Sequence, residues 1–261
     1  MKTFIAFIFL ITLIVTIHEG GHLIAAKLFN VYCSEFSIGM GPELYRKKNK
    51  ETDFVIRLLP IGGFCSMAGE SEDGIEKRTQ VDVPLERTIK GTAKWKQLII
   101  YLAGVFMNFI LGFIVITIAI MTIKVDGVNI GFVEALTRTP NTFWQYATAI
   151  IEGIKSLVTQ PTQISGIVGI YSYTSEMIKS GWTYYLMYIA LISINVGVFN
   201  LLPLPVMDGG RVLILIIEMI IGHDINKKLE EKIMIICAMF LVGLMLWAFS
   251  LDIWRIATGQ I

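Results

Sequence analysis

The chain has 261 residues, of which 54% are hydrophobic, and its mean hydropathy is +0.66. This composition excludes an ordinary soluble domain, and the length exceeds that of a single anchor, so the sequence predicts a polytopic α-helical membrane protein in contact with the lipid bilayer. A net charge of +1, without a long basic run, indicates no nucleic-acid partner.

The first predicted element is an apolar helix of about residues 3–29 that contains Ile17-His18-Glu19-Gly20-Gly21-His22-Leu23. On a helix the two histidines share one face and Glu19 lies beside them, which is the HExxH layout of a zinc hydrolase. Ionisable groups in a membrane span cost about 2.5–3.5 kcal/mol each on insertion scales. This cost favours a metal site, with Glu19 placed to reach a metal-bound water, over a structural histidine pair.

Three further segments are long and apolar enough to cross a bilayer, at about residues 98–123, 183–207 and 233–251. The second of them carries no charge, and Asn108 is its only strongly polar residue. The first span starts like a signal peptide but continues past His22 without a small-residue cleavage site, so we expect it to be retained.

Lysine and arginine predict the orientation of these spans. Residues 28–97 hold 11 of them, residues 124–182 hold four, and the short stretch 208–232 also holds four. The positive-inside rule therefore places the first and third connections in the cytoplasm and both termini outside, in a multi-pass protein of the cell inner or plasma membrane.

The cytoplasmic connection contains a β-rich loop at about residues 34–70. A β-prone run at 53–60 ends in two glycines and predicts a membrane-associated hairpin with an exposed edge that could pair with an extended peptide. A plain surface hairpin fits the same pattern. The charged stretch 70–96 predicts a solvated loop. Cys33, Cys65 and Cys237 form neither a CxxC pair nor an even set, so we expect reduced thiols.

Residues 142–158, in the second connection, have apolar side chains at helical spacing and predict an amphipathic helix on the outer membrane surface, or one packed on the other spans. The predicted topology also places the late parts of the first and third spans at the same depth, near the cytoplasmic face. Asp208 follows two prolines there and precedes two glycines, which makes it the favoured third ligand. The same residues could simply end a span, and His223 and Asp224 compete for the role.

HEGGH in a first span, together with residues 200–210, resembles the site-2 protease family of intramembrane zinc metalloproteases, in particular the regulator-of-sigma-E protease branch. Nearly the whole chain takes part in the resemblance, through these further stretches in family order: Phe36–Pro42, Arg57–Glu70, Ala103-Gly104 before Asn108, and Ser165–Ile170. Gly20, Val105 and Val168 depart from the usual pattern without touching a proposed ligand.

The resemblance implies a zinc metalloendopeptidase that cleaves within or near transmembrane segments. It implies that His18, His22 and Asp208 hold Zn²⁺ and that Glu19 is the general base. It further implies that Asn195 and Asn200 face the substrate near the metal. It also implies that the strand edge at residues 55–59, with Val55, Arg57 and Leu59, binds the unwound substrate strand. Asn200 could also donate a hydrogen bond to the developing oxyanion.

The implied substrates are single-span membrane proteins, with anti-sigma factors or signal-peptide remnants as candidates. Many relatives carry PDZ domains between the second and third spans, but the stretch available here is too short for a full one. A metal or haem carrier that uses the histidine pair without hydrolysis is the alternative function, although it gives Glu19 no role.

Overall fold

The computed structural model describes residues 1–70, 83–159 and 166–258. Its helices are α1 (Lys2–Leu28), α2 (Lys94–Met121), α3 (Phe132–Thr159), α4 (Ile167–Ser180), α5 (Trp182–Asn200), α6 (Asp208–Ile221) and α7 (Lys227–Ala257). Its strands are β1 (Cys33–Lys47), β2 (Asp53–Met67), β3 (Lys124–Val125) and β4 (Val128–Asn129). A single 3-10 turn, Leu85–Arg87, is described ahead of α2.

Four of these helices, α1, α2, α5 and α7, are long and apolar enough to cross a membrane. The predicted fold class, a polytopic α-helical membrane protein with a small antiparallel sheet, is confirmed. The third span was expected to continue to Met207, whereas α5 ends at Asn200. Pro203 and Pro205 follow, and because proline has no backbone N–H to donate, the chain turns before α6 begins.

Residue contacts divide the chain into two compact units. The helical unit comprises Met1–Phe7, Phe109–Phe199 and Ile225–Ile261, and the sheet-containing unit comprises Ile8–Asn108 and Asn200–Asp224.

In the helical unit, glycines allow close helix packing. A Cβ at Gly112 would lie 2.6 Å from Ile194 Cγ1, and one at Gly197 would lie 2.5 Å from Phe109 Cε1. Small residues at such crossings are typical of membrane helices, where close van der Waals contact replaces the hydrophobic effect as the source of association.

In the sheet-containing unit, β1 and β2 both bend, so that their segments form four adjacent rows. Residues 53–57 lie between 43–47 and 35–38, and residues 63–67 pair on the far side of 35–38. Positive φ angles at Gly39, Gly41 and Gly62 permit these bends. The predicted exposed edge is therefore not at Val55, which pairs on both sides, with Ser37 and with Arg46. The outer rows are 43–47 and 63–67.

The predicted amphipathic segment 142–158 lies within α3, which begins earlier, at Phe132, and includes Pro140. The side chains of residues 154–159 lie outside the described set. Residues 71–82 of the charged stretch and Ser165 of the family motif also lie outside the described residues.

A buried carboxylate in α7 caps α4. Asp252 is fully buried, and its Oδ2 accepts hydrogen bonds from the backbone N–H groups of Gly166 at 2.9 Å and Gly169 at 3.2 Å. Since the first turn of a helix leaves its N–H groups without intrahelical partners, this side chain satisfies donors that would otherwise be unpaired in an apolar setting.

We therefore expect Asp252→Ala to destabilise the protein by about 1–3 kcal/mol, the usual cost of leaving buried polar groups unsatisfied. Thermal unfolding in detergent measures the loss as a lower Tm. Asp252→Asn, which keeps an acceptor oxygen, should lose less. An Ala variant that melts with the unaltered protein would contradict the assigned cap.

Candidate active site

The two histidines of the HExxH motif lie side by side on α1. Both are buried, their ring centroids are 4.8 Å apart with an interplanar angle of 84°, and their Nε2 atoms are 3.3 Å apart. The four-residue spacing places one ring a turn above the other on the same helix face, so both Nε2 atoms point to one locus.

Asp208, the first residue of α6, reaches that locus from the other end of the sequence. Its Oδ2 lies 3.1 Å from His18 Nε2 and 3.4 Å from His22 Nε2. The three atoms thus form a nearly equilateral triangle. His18, His22 and Asp208 are the one group among the described residues that offers three ligand atoms close enough to share a metal ion.

Two glycines allow Asp208 to occupy this position. A Cβ at Gly209 would overlap the carbonyl oxygen of Leu201, and one at Gly210 would overlap that of Leu204. The backbone N–H of Gly210 also donates to Met207 O at 3.1 Å. The turn that contains the prolines therefore folds directly onto the start of α6, and only glycine fits where the two backbones meet.

The triangle fits a zinc ion. Zinc binds imidazole nitrogen and carboxylate oxygen at about 2.0–2.1 Å, so two ligands of a tetrahedral site lie about 3.3 Å apart. The three observed separations, 3.1, 3.3 and 3.4 Å, bracket that value. Asp208 Oδ2 is buried and accepts no hydrogen bond from the described residues, as expected of an oxygen available to a cation.

Glu19 lies on the same cavity as the triangle. Its Oε2 accepts a hydrogen bond from the backbone N–H of Cys65 at 3.1 Å. The cavity has a volume of about 430 Å³, and its walls include His18, Glu19, His22, Asp208 and the outer row 63–67 of the sheet. The general-base candidate therefore faces the same space as the three candidate ligands and the outer row 63–67, whose Cys65 N–H donates to it.

A second group of polar residues, Arg211, Glu70 and Tyr101, also lines this cavity. Arg211, one turn after Asp208 along α6, forms an ion pair with Glu70 and lies 5.3 Å over the Tyr101 ring. Burial alone would lower the pKa of Arg211, but the Glu70 carboxylate raises it above its ordinary value, so the guanidinium stays charged. The pair ties the first turn of α6 to the segment that follows β2.

The sequence alone did not indicate a role for Arg211, Glu70 or Tyr101. The signal for Arg211 was a lone cation in the otherwise apolar part of α6. Tyr101 and Glu70 carry no such signal, because their contribution depends on contacts between distant segments.

Other candidate residues do not line the cavity in the part of the chain that is described. These are Asn195, Asn200, Val55, Arg57, Leu59, His223 and Asp224. Asn200 is the last residue of α5, and Asn195 belongs to the helical unit. His223 is exposed, and Asp224 pairs with Lys94 at 2.6 Å, so neither competes with Asp208 for the histidines.

The model of Peptidase family M50 matches residues 6–244. The chain is similar to a Fusobacterium nucleatum protein named "Putative zinc metalloprotease FN1322", with 25% identity over 97% of this chain and 99% of that protein. It is 26% identical to zinc metalloprotease RasP of Bacillus licheniformis over 98% and 100% of the two chains. It is 25% identical to the regulator of sigma-W protease RasP of Bacillus subtilis over 98% and 99%.

These alignments extend over 346, 417 and 421 positions, more than the 261 residues of this chain. The relatives therefore contain internal residues that this chain lacks.

The close approach of Gly210 to the Leu204 carbonyl leads to a prediction about zinc binding. We expect Gly210→Ala to displace Asp208 and to reduce bound zinc well below one ion per chain, as measured by elemental analysis of the purified protein. Gly20→Ala is the matched control, because a Cβ at Gly20 meets nothing within 4 Å. Full zinc occupancy in the Gly210 variant would contradict the close packing described above.

Proposed function

The chain belongs to Peptidase family M50, in agreement with its resemblance to the site-2 proteases, and on that premise we propose that it is an intramembrane zinc metalloendopeptidase. Its cofactor is Zn²⁺. Its substrates are membrane proteins, which it cleaves within or near their transmembrane segments.

One observation carries this proposal. Three candidate zinc-binding atoms from two ends of the sequence lie within 3.4 Å of one another, on a cavity that Glu19 also lines. We assign His18, His22 and Asp208 as the metal ligands and Glu19 as the general base. A carrier that only holds a metal would need the ligands but not a carboxylate placed beside them, so the position of Glu19 favours hydrolysis.

Zinc, when bound, supplies Lewis acidity that activates water and polarises a carbonyl. Glu19 takes a proton from the attacking water and delivers it to the amine of the leaving strand. The hydrogen bond from the Cys65 N–H holds the Glu19 carboxylate in place against β2. The resemblance to the site-2 proteases, rather than the lining of the cavity, is the support for proposing that Asn200 and Asn195 contact the substrate, Asn200 through a hydrogen bond to the developing oxyanion.

The substrate must present an extended strand, because helical hydrogen bonds hide the scissile carbonyl. We place the docking edge at the outer row 63–67, in place of the edge first expected at 55–59. This row lines the cavity, whereas Val55 is buried between two rows. Backbone pairing at such an edge is tolerant of sequence and suits substrates of varied composition.

Replacing Glu19 by glutamine tests the assigned base. Glu19→Gln keeps the size of the side chain but cannot accept the proton, so we expect cleavage of a co-expressed single-span protein to fall at least about 10²-fold. Zinc content should stay near that of the unaltered protein. Unchanged cleavage would refute the role of Glu19, and metal-coupled uptake into vesicles without any cleavage would favour the carrier.

We further propose a multi-pass arrangement in the cell inner or plasma membrane, with both termini outside and the active site near the cytoplasmic side. The support is the distribution of lysine and arginine between the connections. Anti-sigma factors and signal-peptide remnants remain candidate substrates. The Bacillus subtilis relative is named a regulator of sigma-W protease, which fits the first of them.

Cysteine labelling tests this orientation. Lys48 and Asp126 are both exposed, in the connections assigned to the inside and the outside. In intact protoplasts a membrane-impermeant maleimide should label Asp126→Cys and should label Lys48→Cys only after permeabilisation. The unaltered protein gives the background from the native cysteines. The opposite labelling pattern would invert the proposed topology.

A further inference from the structure

One face of α2 is built around the two histidines. Ile100, Gly104 and Asn108 follow one another at four-residue intervals and therefore share this face. The Ile100 carbonyl oxygen lies 2.8 Å from His22 Nδ1, and the Asn108 amide nitrogen Nδ2 lies 3.2 Å from His18 Nδ1. Between them, a Cβ at Gly104 would overlap His22 Nε2 and lie 2.9 Å from His18 Cε1.

A histidine that binds a metal through Nε2 keeps its proton on Nδ1 and donates it to an acceptor, which fixes both the tautomer and the ring orientation. For His22 the acceptor is a backbone carbonyl, which can only accept. Its Nδ1 therefore carries the proton, and its Nε2 lone pair points to Asp208 Oδ2 at 3.4 Å.

The partner of His18 Nδ1 is the Asn108 side-chain amide, which can either donate or accept a hydrogen bond. The oxygen and nitrogen of an asparagine amide occupy nearly equivalent positions, and their assignment follows from the hydrogen bonds they make. As placed, Asn108 Nδ2 faces His18 Nδ1. Turning the amide over exchanges its two terminal atoms, so that the oxygen accepts the Nδ1 proton and the Nε2 lone pair of His18 is directed to Asp208. Both histidines then adopt the same metal-binding tautomer.

The location of Asn108 in the membrane span indicates a role at the histidine pair. It is fully buried, and it is the only strongly polar residue in the apolar stretch 98–123. Inserting a polar side chain into a membrane span costs free energy. Such residues usually either hydrogen-bond a neighbouring helix or contact a functional site. The Asn108 amide contacts the ring of His18, a candidate metal ligand, so we assign Asn108 to the functional site.

We propose that Asn108 is a positioning residue for zinc. It accepts the Nδ1 proton of His18, so that the Nε2 of His18 stays unprotonated and directed to the metal position. Ile100 does the same for His22 through its backbone, and Gly104 provides the space for both rings. This inference rests on the proposed function, since it assumes that His18 is a zinc ligand.

The test compares zinc affinity with the stability of the metal-free protein. Asn108→Leu removes the acceptor while keeping the branching and the number of side-chain heavy atoms, and Asn108→Asp keeps the acceptor. We expect zinc affinity, measured by competition with a chromophoric chelator in detergent, to fall about 10- to 100-fold in the Leu variant, the usual effect of losing such a partner. The Asp variant should recover most of it. If the Leu variant does not fold, Asn108→Ala replaces it.

Thr117→Val is the matched control. Thr117 is another buried polar residue of α2, hydrogen-bonded to Thr139 at 2.9 Å in the helical unit. A positioning role predicts that the Leu variant loses affinity while its metal-free Tm falls no further than that of Thr117→Val. In cobalt-substituted protein, the visible absorption should shift for Leu but not for Asp.

Two results would overturn the inference. The first is unchanged zinc affinity in the Leu or Ala variant. The second is an equal loss of affinity in the Leu and Asp variants that follows their loss of metal-free stability, since that pattern marks a purely structural residue. Failure of the proposed function looks different, because the unaltered protein would then bind no zinc at the histidine pair.

Discussion

Three ionisable side chains that meet in an apolar protein must satisfy one another, and this constraint shapes the sheet-containing unit. Two imidazole nitrogens and one carboxylate oxygen lie 3.1–3.4 Å apart, all largely buried. A buried charge costs several kcal/mol unless it is paired or coordinates a metal. The cluster therefore suits a cation, and its spacings fit the zinc ion that we propose it to hold.

The surrounding backbone is arranged to bring these groups together. Gly104 makes room for the rings, while Gly209 and Gly210 let the turn after α5 press against the start of α6. Prolines end the helix early, so that Asp208 begins a new one. Each device weakens regular structure locally, which a membrane protein tolerates where the freed backbone groups face protein or a water-filled cavity. These devices all lie beside the cavity, where the proposed site requires irregular backbone.

The position of a residue could be predicted from the sequence where it depends only on neighbouring residues of the same element. It could not be predicted where it depends on contacts between distant segments. The histidine pair was predictable because helical periodicity alone places His18 and His22 on one face. Asp208 was predictable one step further, since span orientation puts two distant segments at one depth. The outer row of the sheet was not, because β1 and β2 bend at glycines and their register is set by contacts across the sequence. Asn108 was visible as an isolated polar residue, but its partner could be identified only from the packing of α2 on α1.

The most direct test of the account is an anomalous difference map, collected at the zinc edge, from crystals of the purified protein. We predict one peak within about 2.0–2.2 Å of His18 Nε2, His22 Nε2 and an Asp208 carboxylate oxygen. A peak at another site, or an Asp208 side chain turned away from the two rings, would contradict it.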